Sequence, residues 1–455
     1  MQQDKNIIKG AFLDRVLYGT MHKKPECSIW IIMTLEAPLD DRILKNALEL
    51  LIKAFPLISS RFEAGLWQSR WVYEDPGDLS KVINRQKVPD KTAADKLLKG
   101  VVRNHMDTDI LPLVKTLSVD SPESHYFIFQ VHHIIIDGEG AKRLFSLFAE
   151  IYRSLEKNPG FTLSPLPDTN RSLLQMAKHV KWYRWFFAPC SSFKEISLIL
   201  KFVFKYKRQQ WVISNGVSAD EKNTGELVPS CDTFTISREE LENIRKNTNQ
   251  YNAAINDICM AVLMTTLCQW NISWGGEPSC INSIYTIDLR RWLGEPAGTL
   301  ANMSGSRIIS IDAHTLLDVH QALLKIKKEF DSKKKTFGLK ELWDNGTAMV
   351  QPKIMGKIIC SQLEEFGCKS HAFSNVGIIP ETASDFGSVK GISCLMNAPV
   401  LPGAGIIFTV SGYKGSLTFC CNFNSSYINP EKIKKLLKLF KKNLLLLSAD
   451  LLHKV

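Results

Sequence analysis

The chain has 455 residues, 45% of them hydrophobic and 23% charged, with a formal net charge of +11. That length exceeds what one hydrophobic core usually serves, so two domains are expected, and the composition is that of an ordinary globular chain, for which disorder is not the expectation. The opening residues carry Asp4, Lys5 and Lys9 and lack the apolar run of a signal peptide, and no stretch approaches the roughly 18 apolar residues of a spanning helix, so a cytoplasmic location is expected.

In chain order, Ser28 to Leu35 reads as a strand, and Asp40 or Asp41 caps a helix that runs to about Phe55, with Leu44, Leu48, Leu51 and Ile52 on one face. A short strand follows from Leu113 to Val119, and a central one, apolar on both faces, from Tyr126 to Ile134. Glu139 to Leu155 has helical spacing. From Lys178 to Arg208 lysines and arginines alternate with Trp182, Trp185, Phe187 and other aromatics, which suits an inter-domain helix with buried aromatics, contact with a membrane surface or the lining of an acyl-chain entrance. Beyond it lie a strand near Cys231, a helix over Arg238 to Asn247 capped by Ser237, an apolar helix over Asn256 to Trp270 and a strand over Ser283 to Asp288. Arg307 to Ile311 reads as a strand, Leu316 to Phe330 as a helix and Lys333 to Lys335 as a basic turn. Strands at His371 to Ile379, Ile406 to Ser411 and Ser416 to Asn422 precede a last helix opened by Pro430. The predicted class is α/β or α+β, with a first lobe over residues 1–178, a basic aromatic connector over 179–222 and a second lobe over 223–455.

Eleven cysteines, an odd number without a Cys-x-x-Cys, read as buried free thiols rather than a disulfide frame or a zinc site. The positive charge comes with no finger, helix-turn-helix or single-strand-binding motif, so nucleic acid is not the expected partner. The phosphates of CoA, an acidic carrier protein and an anionic membrane face all suit it.

The run that carries chemistry is His132-His133-Ile134-Ile135-Ile136-Asp137-Gly138. Neighbours on a strand face opposite ways, so the two histidines are not expected to act as a pair, nor to build a metal site with Asp137. Gly138 is expected to let the chain turn out of the strand, and Asp137 to sit near the imidazole, clamp the turn through an ion pair or cap the following helix. A neutral imidazole with a pKa near ~6.5 takes a proton from a hydroxyl or amine and returns it to a leaving group. A thioester has a good leaving group, so such a base needs no covalent enzyme intermediate.

At these residues the sequence resembles the His-x-x-x-Asp acyltransferase superfamily, which includes condensation domains, alcohol acetyltransferases, polyketide-associated acyltransferases, wax ester synthases and chloramphenicol acetyltransferase. Further similarities are Ala47 to Phe62, Asn256-Asp257, Asp288-Leu289-Arg290-Arg291 followed by Ala301-Asn302, and Ser374-Asn375-Val376-Gly377. Asp385-Phe386-Gly387 lacks the Trp of the plant branch and is treated as a coincidental loop, and Ala301 stands where the family usually has Gly. The resemblance implies two chloramphenicol-acetyltransferase-like lobes with a channel between them. It makes His133 the base, with His132 and Gly138 supporting it, and pairs Asp137 with Arg290 or Arg291. Ser374 and Asn375 would then lie on the channel wall, facing a developing oxyanion. No bound cofactor is implied, only acyl-CoA or an acyl-phosphopantetheine as co-substrate.

Three functions follow: an O-acyltransferase using acyl-CoA and an alcohol, a condensation-type or N-acyltransferase using a carrier-bound thioester, and a catalytically degenerate binding module of the same fold. The intact His133, Asp137 and Gly138 favour an enzyme, and a monomer is expected.

Overall fold

The computed structural model describes residues 7–22, 27–65, 69–103, 106–164, 170–173, 175, 228–292, 300–334, 371–400 and 405–447. The Lys178 to Arg208 segment and the expected connector over 179–222 lie outside them.

The first half builds a five-stranded sheet from β2 (Ser28–Leu35), β5 (Ile83–Lys87), β6 (Val114–Asp120) and β7 (His125–His132). Its order is β12-β2-β7-β6-β5, so the outer strand β12 (Gly391–Asn397) arrives from the far end of the sequence. β7 sits at the centre and is buried along almost its whole length, as its two apolar faces predict. Helix α2 (Asp41–Ala54) covers the sheet with Leu44, Leu48, Leu51 and Ile52, and Asp40 caps it by accepting from the backbone N–H groups of Arg42 and Ile43. Helix α4 (Gly138–Lys157) packs beside α2 and buries Leu144, Phe145, Phe148 and Ile151. α3 (Lys91–Gly100) lies over the opposite face, where Ala94 joins Trp30, Val119 and Ile128.

Local pattern did not reveal α1 (Phe12–Met21) or the small sheet β1-β4-β3, formed by β1 (Ile7–Lys9), β3 (Ser60–Ala64) and β4 (Ser69–Tyr73). Each strand is three to five residues long, too short for a clear two-residue alternation.

The second sheet has six strands in the order β10-β9-β11-β13-β14-β8. They are β8 (Pro229–Ile236), β9 (Cys280–Asp288), β10 (Ser304–Asp312), β11 (His371–Ile378), β13 (Ile406–Tyr413) and β14 (Ser416–Asn424). Around it pack α5 (Arg238–Thr248), α6 (Ile255–Ser273), α7 (Val319–Lys334) and α8 (Pro430–Leu446). The Asp257 carboxylate pins the start of α6 by accepting from the Ala254 N–H at 2.9 Å. Helix α7 runs on to Lys334, so Lys333 is helical rather than part of a basic turn, and its ammonium reaches the Ile308 carbonyl.

The second half is not confined to its own lobe. Strand β12 pairs antiparallel with β2 along Gly391–Asn397, and Ile379, Ala383, Phe386 and Met396 join the first core. The adjacent cysteines of β14 face opposite ways as expected: Cys421 enters the second core, while the Cys420 thiol lies 3.8 Å from the Met396 carbonyl of β12. Cys231, Cys259, Cys268, Cys280, Cys394, Cys420 and Cys421 are free thiols. Among the described residues no single helix is long and apolar enough to cross a membrane, and the one pair that passes jointly, Arg238–Tyr251 with Ile255–Ser273, is bent by 95°.

Candidate active site

Strand β7 ends at His132, one residue before the expected base. The His132 ring is fully buried and its Nδ1 accepts from the Ile134 N–H at 3.2 Å, which folds the chain out of the strand at once. His133 therefore stands in the turn between β7 and α4, its own N–H donating to the Cys27 carbonyl at 2.8 Å. His132 is thus the last residue of the strand and enclosed, while His133 lies beyond it and is partly exposed. His133 is half-buried, and of its ring nitrogens Nδ1 is enclosed without a hydrogen bond of normal geometry. Burial pushes the imidazole below its usual pKa; its own carbonyl, the charge of Asp137 and the Asn302 side chain favour the proton but do not cancel that loss of hydration. The ring is thus held neutral, the form a base requires.

Asp137 does two of the things expected of it at once. Oδ1 caps α4 by accepting from the Gly140 N–H at 2.9 Å, and the carboxylate pairs with Arg290, Oδ1 to Nη2 at 2.9 Å and Oδ2 to Nη1 at 3.0 Å. Arg290, one of the two arginines expected, is thereby a partner of Asp137. Both side chains of the pair are almost fully buried, and Arg290 also reaches Asp288 at 3.0 Å. Burial alone would lower the pKa of this guanidinium, but Asp137 and Asp288 raise it.

Gly138 has a different reason from the one expected. Its φ is not in the left-handed region. It opens α4 where β11 comes close, and an added Cβ would lie 3.3 Å from Cγ1 of Val376. The same contact brings the Ser-Asn-x-Gly strand to the histidine loop: Lys142 of α4 donates to the Val376 carbonyl at 2.9 Å, immediately after Ser374 and Asn375. Ser374 Oγ accepts from the Thr286 hydroxyl at 2.9 Å, and Asn375 Oδ1 accepts from the Gly377 N–H at 2.9 Å, where β11 shifts register against β13. Gly377 itself has φ +74, which favours glycine at that bulge.

Residues 18–182 match the family model of the condensation domain. No curated protein matches the sequence. Among solved structures, the trichothecene 15-O-acetyltransferase from Fusarium sporotrichioides superposes with a TM-score of 0.71 at 11% identity, covering 97% of this chain and 95% of that one. The epimerization domain from the third module of tyrocidine synthetase B gives 0.67 at 13% identity, covering 99% and 98%. Polyketide synthase associated protein 5 from Mycobacterium tuberculosis gives 0.65 at 14%, covering 97% and 100%.

Residues 18–182 resemble the condensation-domain family, and the whole chain has the fold of these solved structures.

Within this condensation-domain fold, one segment is central of which the sequence had pointed only to Ala301-Asn302. Four consecutive residues, Leu300 to Met303, each bond to the histidine loop or to an arginine that supports it. The Leu300 carbonyl accepts from Arg171 at 3.3 Å and the Ala301 carbonyl from Arg290 at 2.6 Å. Asn302 Nδ2 donates to the carbonyls of His133 and Ile134 at 3.2 and 3.1 Å, and the Met303 N–H donates to Asp137 Oδ2 at 2.6 Å. The residues flanking Asn302 act through their backbones, so their side-chain types carry no signal. Asn302 itself was visible only through the family resemblance.

Proposed function

We propose that this condensation-domain relative is an acyltransferase that moves an acyl group from a CoA-type thioester to an alcohol, with His133 as general base. The observation that carries the reading is His133 itself: a half-buried imidazole, depressed in pKa by burial, on a turn fixed by the buried Asp137–Arg290 pair. In the proposed step the neutral ring takes the proton of the acceptor hydroxyl as its oxygen attacks the thioester carbonyl. The imidazolium then returns that proton to the departing thiolate as the C–S bond breaks. Ser374 and Asn375, beside the loop through Val376, are the proposed polar groups on the channel wall; no cofactor need be resident, because the thioester is a substrate. The fold likeness to an O-acetyltransferase supports the alcohol as acceptor.

A second reading has its own support. The matching family model is that of condensation domains, and the first condensation domain of the calcium-dependent antibiotic synthetase, in complex with a substrate analogue, shares the fold at 13% identity with a TM-score of 0.67. In that reading the acyl group arrives on the phosphopantetheine arm of an acidic carrier protein, to which a chain of net charge +11 is electrostatically suited.

Incubation with acyl-CoAs of several lengths and a panel of alcohols and amines, read as free thiol released, tests the first reading. Turnover with free CoA thioesters that is lost in His133→Ala supports it. Turnover only with a loaded carrier, weakened by salt, replaces the donor. No turnover with either donor contradicts the enzyme and leaves a binding module.

A further inference from the structure

We infer that Asp14 and Arg171 form a second buried pair that positions His133, acting through the backbone of the loop that carries it. The inference rests on His133 being the reacting base, and it adds residues from two parts of the chain that no motif contains.

The geometry is specific. Both side chains are only 2% exposed. Arg171 Nη2 donates to Asp14 Oδ1 at 2.5 Å and Nε to Oδ2 at 3.0 Å, so the guanidinium meets the carboxylate edge to edge. Asp14 is fixed in turn: Oδ2 accepts from the Ala11 N–H at 2.8 Å and from the Trp71 indole N–H at 3.2 Å. The Trp71 ring lies 5.8 Å from the Arg171 guanidinium carbon.

What distinguishes this pair from a simple tie between α1 and the segment after α4 is where the remaining N–H groups go. Nη2 also donates to the Ile135 carbonyl at 3.0 Å, two residues beyond His133. Nη1 donates to the Leu300 carbonyl at 3.3 Å, the first residue of the strut that holds Asp137 and Arg290. Three successive carbonyls of the turn are therefore held by donors from elsewhere, His133 and Ile134 by Asn302 and Ile135 by Arg171. Arg290 fixes the far end of the loop through Asp137, and Arg171 fixes its middle. A buried ion pair is weak evidence for stability, since apolar residues of the same volume often do as well. A planar fork that meets one carboxylate and two backbone carbonyls does something that apolar packing does not: it sets where those carbonyls lie. The imidazole, attached to the same turn, follows them.

Two variants separate positioning from folding. Arg171→Lys keeps the charge opposite Asp14 but loses the fork. Asp14→Asn with Arg171→Met removes both charges together, so no buried ion is stranded, and circular dichroism with thermal melting selects the folded proteins. The imidazole signals of His133, assigned by their loss in His133→Ala, are read first because they do not depend on which reaction runs. They are expected to shift in both variants while those of the remote His125 stay in place. With the competent thioester, kcat is expected to fall about 10- to 100-fold with KM within about twofold, as for a base displaced by a fraction of an ångström to an ångström. Unchanged His133 signals in a folded variant overturn the positioning role even where His133 proves to be the base. Shifted signals in a protein whose wild type transfers no acyl group uphold the positioning role and overturn the functional reading instead.

Discussion

Both carboxylate oxygens of Asp137 are held by one guanidinium, that of Arg290, at 2.9 and 3.0 Å. The same carboxylate accepts the N–H of Gly140 at the start of α4 and the N–H of Met303 in the strut. One side chain of the first lobe thus joins the histidine turn, a helix terminus and two segments of the second half.

Removing one partner of this pair strands a buried charge. Arg290→Ala is expected to lower unfolding stability by roughly 3–5 kcal/mol, and Asp137→Ala by a similar amount because the α4 cap is lost as well. Urea unfolding of each variant checks this. A loss below about 1 kcal/mol, the range of exposed pairs, would show that the pair is open to water.

The pH dependence of the proposed base follows from its burial. The His133 pKa is lowered, so the neutral ring persists to more acidic pH than that of an exposed histidine. kcat/KM should rise with pH through an inflection below about 6.5 and stay flat above it. The profile is to be measured with a substrate for which chemistry limits the rate. An inflection above that value would show that the imidazolium is favoured.

His371 supplies an independent prediction about acid stability. It is buried on β11, and burial alone lowers its pKa to about 3. The unfolded ring takes a proton near pH 6.5, so the unfolded chain binds more protons between those values. The contribution of the neutral ring is complete above about pH 6.5 and is lost as pH falls toward 3, with a slope approaching roughly 1.4 kcal/mol per pH unit. His371→Phe should flatten that part of the stability curve between pH 6 and 4. An unchanged slope would show that the ring is hydrated in the folded protein.

Gly138→Ala tests the close approach of the two halves. Alanine favours a helix start no less than glycine does, yet its Cβ would meet Val376 Cγ1 at 3.3 Å, tighter than ordinary contact. A several-fold loss of kcat is expected, largely restored by adding Val376→Ala, which leaves room for the methyl. If Val376→Ala restores nothing, Gly138 is needed for another reason.

Much of the fold was legible because local pattern and packing agree: Asp40 before the Leu44, Leu48, Leu51 stripe, the two-faced apolar run of β7, and Pro430 opening the last helix. What stayed hidden was long-range. Gly391 to Asn397 was not read as a strand at all, and nothing in it tells that its partner is β2. The end of β7 was misplaced because Ile134, Ile135 and Ile136 continue the apolar run, while the turn is made by a ring nitrogen of His132. That Arg290 reaches Asp137 could not be read locally, because the turn after β9 sets the direction of its side chain. Asp14 lies on a helix that local pattern did not reveal, and neither it nor Arg171 belongs to a motif. Only their meeting, 157 positions apart, gives them a part in the site.

The central claim is that the His133 imidazole takes the acceptor's proton. Single-turnover acyl transfer from a thioester donor by wild type and by His133→Ala, folded to the same extent by circular dichroism, tests it most directly. The rate should fall by about 10²- to 10⁴-fold with donor binding unchanged. A His133→Ala protein that transfers the acyl group at the wild-type rate would contradict the account.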